Sequence, residues 1–141
     1  MIDNLDDFHY YVGRTIIHCQ TIEHDMQLIY AGIKSGDMDD NLDMISKNKM
    51  TLGIVLKNLQ LVDRSDDNWF FSDGDYELLK QITKILNHWA HHAYCDFLYS
   101  NKSCDFVRQA RRLENDHNRL EKLSKTIESV RLKVLRKYGR I

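Results

Sequence analysis

Proline is absent from all 141 residues. Proline lacks the N–H of the helical ladder and clashes with the preceding turn, so a chain without it can run long helices without interruption. The apolar residues use that freedom. They recur at steps of three and four, the spacing of one helix face, and not at the steps of two that mark a half-buried strand. An all-α fold is the expectation. Val12, Ile16, Cys19, Ile22, Met26, Ile29 and Ile33 form the stripe of a first helix that starts around Asp3 to Asp7 and stops at Ser35-Gly36. Residues 37–49, DMDDNLDMISKNK, are polar and acidic and read as a loop with room for one short helix.

Thr51 is placed to cap a shorter helix carrying Leu52, Val55, Leu56, Leu59 and Val62. After the loop DRSDDNWFFSDGD, Ser72 and Asp75 have the spacing of a capping box. They open a helix whose stripe runs Tyr76, Leu79, Ile82, Leu86, Trp89, Ala93, Phe97, so that it reads as helical from Asp75 to Tyr99. Beyond SNKSC a final helix carries Phe106, Ala110, Leu113, His117, Leu120, Ile127, Val130 and Val134 toward Gly139. It would be about 50 Å long, more than a compact bundle of this size needs, so its end should project or pack on a second copy. The expected architecture is a single domain over residues 1–141, an antiparallel bundle of four main helices framed by the long first and last ones.

At 43% hydrophobic and 29% charged residues the chain has globular composition. No apolar run approaches the roughly 20 residues of a membrane span. The opening MIDNLDDFHY is acidic where a signal peptide would be basic. A cytoplasmic protein with no membrane partner is therefore expected. Cys19, Cys95 and Cys104 are odd in number and scattered, which suggests free thiols. The net charge of −1 conceals an asymmetry. Residues 1–107 hold 9 Lys and Arg against 17 Asp and Glu, whereas residues 108–141 hold 11 against 4. The closing RLKVLRKYGRI has five basic residues and no acid. Such a segment could attract phosphate backbones or an acidic protein partner, or simply complement the helix dipole and the acidic half of the chain.

The densest chemistry lies in KILNHWAHHAYCDF, residues 84–97. His88 and His92 are one turn apart on one face, as are Asn87 and His91. Two histidines at that spacing can share zinc, but a third ligand is needed. Asp96, His18, His24 and His117 are the candidates, and a three-ligand site would resemble the DinB-like metal-binding bundle enzymes. The glutamate of an HExxH motif is missing, since residue 89 is Trp. No metal and no cofactor are therefore expected. On the plainer reading His88 and His92 are solvated and His117 is a hydrogen-bonded core histidine. His9, His18 and His24 then have no special partner, and Trp89 and Tyr94 serve packing.

The long first helix, the helix start Thr51-Leu52-Gly53 and the later helix reading ILNHWAHHAYCDF together resemble the HEPN superfamily of small, usually dimeric, all-helical proteins. Its members carry an Arg, often followed by Asn, that precedes a His by four to six intervening residues. Asn87 matches the Asn and His91 the His, while Leu86 stands where the Arg is expected. The resemblance implies a homodimer that binds RNA or cleaves it without metal. His91 would then be the general acid or base on a ribose 2′-hydroxyl, because an imidazole exchanges protons near neutrality. In place of the missing Arg, Lys84 with six intervening residues, His88, and Arg108, Arg111 and Arg112 of the last helix are the candidate phosphate contacts. A metal-binding bundle enzyme and a non-enzymatic interaction bundle, with the basic last helix as its contact surface, are the alternatives.

Overall fold

The computed structural model describes residues 1–100 and 102–141. Among them are five α-helices: α1 (Leu5–Ile33), α2 (Met38–Lys47), α3 (Leu52–Arg64), α4 (Asp73–His91) and α5 (Ser103–Lys137). The fold is all-α, and no helix of it is long and apolar enough to cross a membrane.

Four helices start on a side-chain cap, which satisfies an otherwise orphaned N–H of the first turn. Asn4 accepts from the Asp7 N–H at 2.8 Å and Asp37 from the Asp40 N–H at 3.0 Å. Thr51 caps α3 through the Ile54 N–H. Ser72 and Asp75 form the reciprocal capping box that their spacing predicts. Asp37 caps α2, the short helix for which the acidic segment left room. Asn41 on this helix reaches back to the carbonyls of Ala31 and Lys34, tying α2 to the end of α1.

The extra helix changes the topology. With α2 present the chain reverses an even number of times, and the two longest helices run parallel instead of antiparallel. Phe8 meets Phe106 near their starts, Arg131 bonds Asp25 at 2.9 Å midway, and Arg140 donates to the Gly32 carbonyl at their ends. Gly32 lets α5 come close there, since a Cβ on it would sit 3.0 Å from Leu135 Cδ2 and the leucine would have to shift. Helix α4 lies antiparallel to α5, with Asp96 just past its end bonded to Gln109 and Trp89 to Asp116.

The core has two parts. The larger joins Ile22, Met26, Leu59, Leu79, Leu120 and Ile127 with their neighbours, and the smaller gathers Phe8, Val12, Trp89, Phe97 and Leu113. Asp63, buried, holds the α3–α4 loop onto the larger part. It accepts from the N–H groups of Phe70 and Phe71 and from the Tyr76 hydroxyl at 2.6 Å.

The fourth helix is shorter than its apolar stripe predicts. It stops at His91, and residues 92–99 follow as tight turns with bonds such as Cys95 N–H to the His92 carbonyl. The stripe continues through Ala93 and Phe97 because both stay buried, but on turns. Phe97 packs edge-on against Phe8 at 5.0 Å and against Phe106 at 5.3 Å, an aromatic cluster that wraps the chain back toward α5.

Candidate functional site

Asn87 and His91 are both exposed on the last turns of α4, and His91 is its final residue. Leu86 points the other way, half-buried against the larger core part. The polar face of α4 meets α5 in a groove of about 430 Å³ lined by Gln81, Lys84, Ile85, Arg112, Asp116 and Arg119. Lys84 and Arg112, from separate helices, therefore share one surface. Arg119 joins them. It lies seven residues beyond Arg112, two turns along the same face, a spacing legible in the sequence but not singled out there.

Inside the groove, Asp116 accepts from the Trp89 indole at 2.8 Å and lies 3.9 Å from Arg119. The Arg112 guanidinium stands 5.8 Å over the Trp89 ring. Three cations and one carboxylate leave a local excess of positive charge. Trp89 itself is buried, so it fixes the two helices and offers no stacking face to a base.

The other proposed phosphate contacts divide. Arg108 is one turn before Arg112 on α5 but is engaged by Asp105 at 3.7 Å. Arg111 faces away, beside Met1, Asp3, Phe106 and Glu114, and does not join Lys84. A 100° step per residue separates neighbours on a helix, so adjacent arginines cannot both face one groove.

His88 is not the solvated residue that the sequence suggests. It is half-buried with its ring 4.5 Å from Trp89, and its Nε2 is shielded without a hydrogen-bond partner. Burial, with the Arg112 charge second, lowers its pKa below the usual 6.5, against smaller opposing effects of Gln109, Asp96 and Asp116. It is therefore neutral at neutral pH. His92, the C-cap of α4, lies 6.5 Å from His88 ring to ring.

No protein-family model matches the chain, and no curated protein and no solved structure matches it either.

The function has to be read from the chain's own chemistry. Among the described residues, no group of three His, Cys, Asp or Glu side chains with ligand atoms in mutual reach includes His88 or His92. Two of the suggested third ligands, His18 and His117, instead meet each other across α1 and α5. His9 has a partner after all, the Tyr94 hydroxyl. The three cysteines are free, and Cys19 is inert: burial, helped by Glu23 and Asp116, pushes its thiol up to about 12.

Proposed function

We propose that the chain is an HEPN-like, RNA-associated homodimer that binds RNA across the α4–α5 groove, with any cleavage kept weak by Leu86. The observation that supports this best is that Asn87 and His91 are exposed on the same helix as Lys84, which lines a groove with Arg112 and Arg119, although neither Asn87 nor His91 lines it. A phosphodiester in the groove would bring its ribose toward the end of α4. There His91 takes the 2′-hydroxyl proton, the 2′ oxygen attacks phosphorus, and the bond to the 5′ oxygen breaks. The leaving 5′ oxygen needs a proton from a second imidazole, which in a homodimer is the partner's His91. Lys84 supplies charge to the phosphate but lacks the planar fork of an arginine, and Leu86 supplies neither.

Fluorescence anisotropy with a single-stranded RNA, repeated across salt concentrations, tests the binding. Three phosphate contacts give a slope of about −2 in log K against log salt, or about twenty-fold weaker binding between about 50 and 200 mM. The triple variant Lys84→Ala, Arg112→Ala, Arg119→Ala should bind weakly and with most of that slope gone. RNA binding unchanged in this variant would mean the groove is not the interface. Sedimentation at micromolar concentration should give a dimer, and a monomer would remove the two-copy site.

A further inference from the structure

Where α1 and α5 pack side by side, the apolar core divides into its two parts. On one side of the break Val12 and Leu113 belong to the smaller core part, and on the other Cys19 and Leu120 belong to the larger. The break holds His18 of α1 with His117 and Glu121 of α5. His117 is only 5% exposed, with the Tyr11 ring edge-on at 4.9 Å and the His18 ring at 5.3 Å. The Nε2 atoms of both histidines are shielded from solvent and have no hydrogen-bond partner. Buried polar atoms normally find partners, so two orphaned imidazole nitrogens in a cluster with one carboxylate call for a ligand.

The distances suit a metal ion. One ligand atom from each of the three side chains lies within 4.8 Å of the others, and His117 Nε2 is already 3.5 Å from Glu121 Oε2. In a tetrahedral zinc site with bonds of 2.0–2.1 Å, ligand atoms stand about 3.4 Å apart. One edge has that length, and the others exceed it by no more than about 1.4 Å, so a bound ion would draw His18 as well as the part-exposed Glu121 inward. We propose that His18, His117 and Glu121 bind one divalent ion of the zinc class, through Nε2 of each histidine and the carboxylate, with the fourth position left to water.

The surroundings fit that role. His117 Nδ1 faces the Asn118 side-chain oxygen at 3.3 Å, so an Nδ1–H donated there leaves the Nε2 lone pair free for the metal. Lys125 holds the other oxygen of Glu121 at 3.5 Å and orients the carboxylate. Two imidazoles and one carboxylate favour zinc over calcium or magnesium, which need all-oxygen shells. An ion here would clamp α1 to α5 at the break in the core. The site is independent of the RNA reading and uses none of the groove residues.

The test is calorimetric titration of Zn²⁺ into full-length, tag-free protein stripped with a chelator, paired with visible absorption of the Co²⁺ form. One ion per chain is expected, with the strong visible bands of four-coordinate cobalt. His18→Ala and Glu121→Gln, both at part-exposed positions, should each weaken binding at least ten-fold while keeping the helical circular dichroism. The double variants His88→Ala/His92→Ala and Cys95→Ser/Cys104→Ser should bind like the parent. The proposal is overturned if the folded parent shows no saturable binding at micromolar Zn²⁺. Binding that survives both His18→Ala and Glu121→Gln, or that disappears in His88→Ala/His92→Ala, overturns it equally. Should either single variant fail to fold, the parent's Co²⁺ spectrum decides, and absence of the four-coordinate bands refutes the site.

Discussion

Replacing Leu86 by Arg supplies the group that the proposed HEPN-like reading lacks at that position, and the structure sets the cost. Leu86 is half-buried and packs on the larger core part, so removing it forfeits part of the roughly 1.5–3 kcal/mol that full burial of a leucine contributes. The arginine stem can cover much of the same surface while its head runs out to solvent beside the exposed Asn87. A net loss of about 1–2 kcal/mol follows if it does, against several kcal/mol if the guanidinium is trapped. For a chain of this length that is a fall in Tm of about 3–8 °C, which a domain of ordinary stability survives. Cleavage of a single-stranded RNA, in chelator to exclude metal-dependent contaminants, should then rise about 100- to 1,000-fold, the usual value of a phosphate-stabilising group. His91→Ala in the Leu86→Arg background should return it to the parent level. A folded Leu86→Arg dimer that cleaves no faster than the parent, or whose cleavage ignores His91, would refute the catalytic assignment of Asn87 and His91. RNA binding in the groove would then stand alone.

Asp63→Ala strands the N–H groups of Phe70 and Phe71 and the Tyr76 hydroxyl, and urea unfolding should show a loss of about 3–5 kcal/mol, with Tyr76→Phe milder at about 1–2 kcal/mol. Arg131→Met leaves Asp25 buried without its 2.9 Å partner and should cost about 3 kcal/mol, most of it recovered when Asp25→Leu is added. His88 gives a pH signature: its folded pKa is lowered, so below about 6.5 the unfolded chain binds the extra proton and stability falls as pH drops. Thermal melts from pH 7 to 5 should show that fall reduced in His88→Gln, and an unchanged profile would mean that burial and the Arg112 charge do not suppress its protonation against the opposing Gln109, Asp96 and Asp116.

The helices were legible because their determinants are local. Thr51, Ser72 and Asp75 cap where their spacing says they should, and the stripes of α1 and α5 face the core as their periodicity requires. Periodicity failed at residues 92–99, where Ala93 and Phe97 stay buried on turns: a hydrophobic stripe reports burial and not backbone shape. Direction was not legible, since the acidic stretch left open whether its short helix α2 would form, and one extra helix reverses the sense of everything after it. The site divides in the same way. That Asn87 and His91 share an exposed face of α4 follows from their spacing, but the meeting of Lys84 with Arg112 and Arg119 depends on how α5 is turned against α4. His18 and His117, 99 positions apart, share no sequence signal that could have joined them.

The division of the core explains why chemistry and stability should come apart in this chain. The groove and the end of α4 are tied to the smaller core part through Trp89, which belongs to it and bonds Asp116 in the groove. The strong polar locks, Asp63 on the loop and Asp25 with Arg131, sit by the larger part or join the helices beyond it. Between the two parts lie Thr15, His18 and His117, each with a buried polar atom that has no hydrogen-bond partner. That layer contributes less than an apolar one would, because unpaired buried polar atoms cost free energy. Motion of the motif end relative to the rest would therefore start there, and a ligand that filled the break would stiffen the groove without touching it. The expected consequence is measurable: hydrogen exchange in α4 residues 84–91 should slow when Zn²⁺ is added to the parent and should not change in Glu121→Gln.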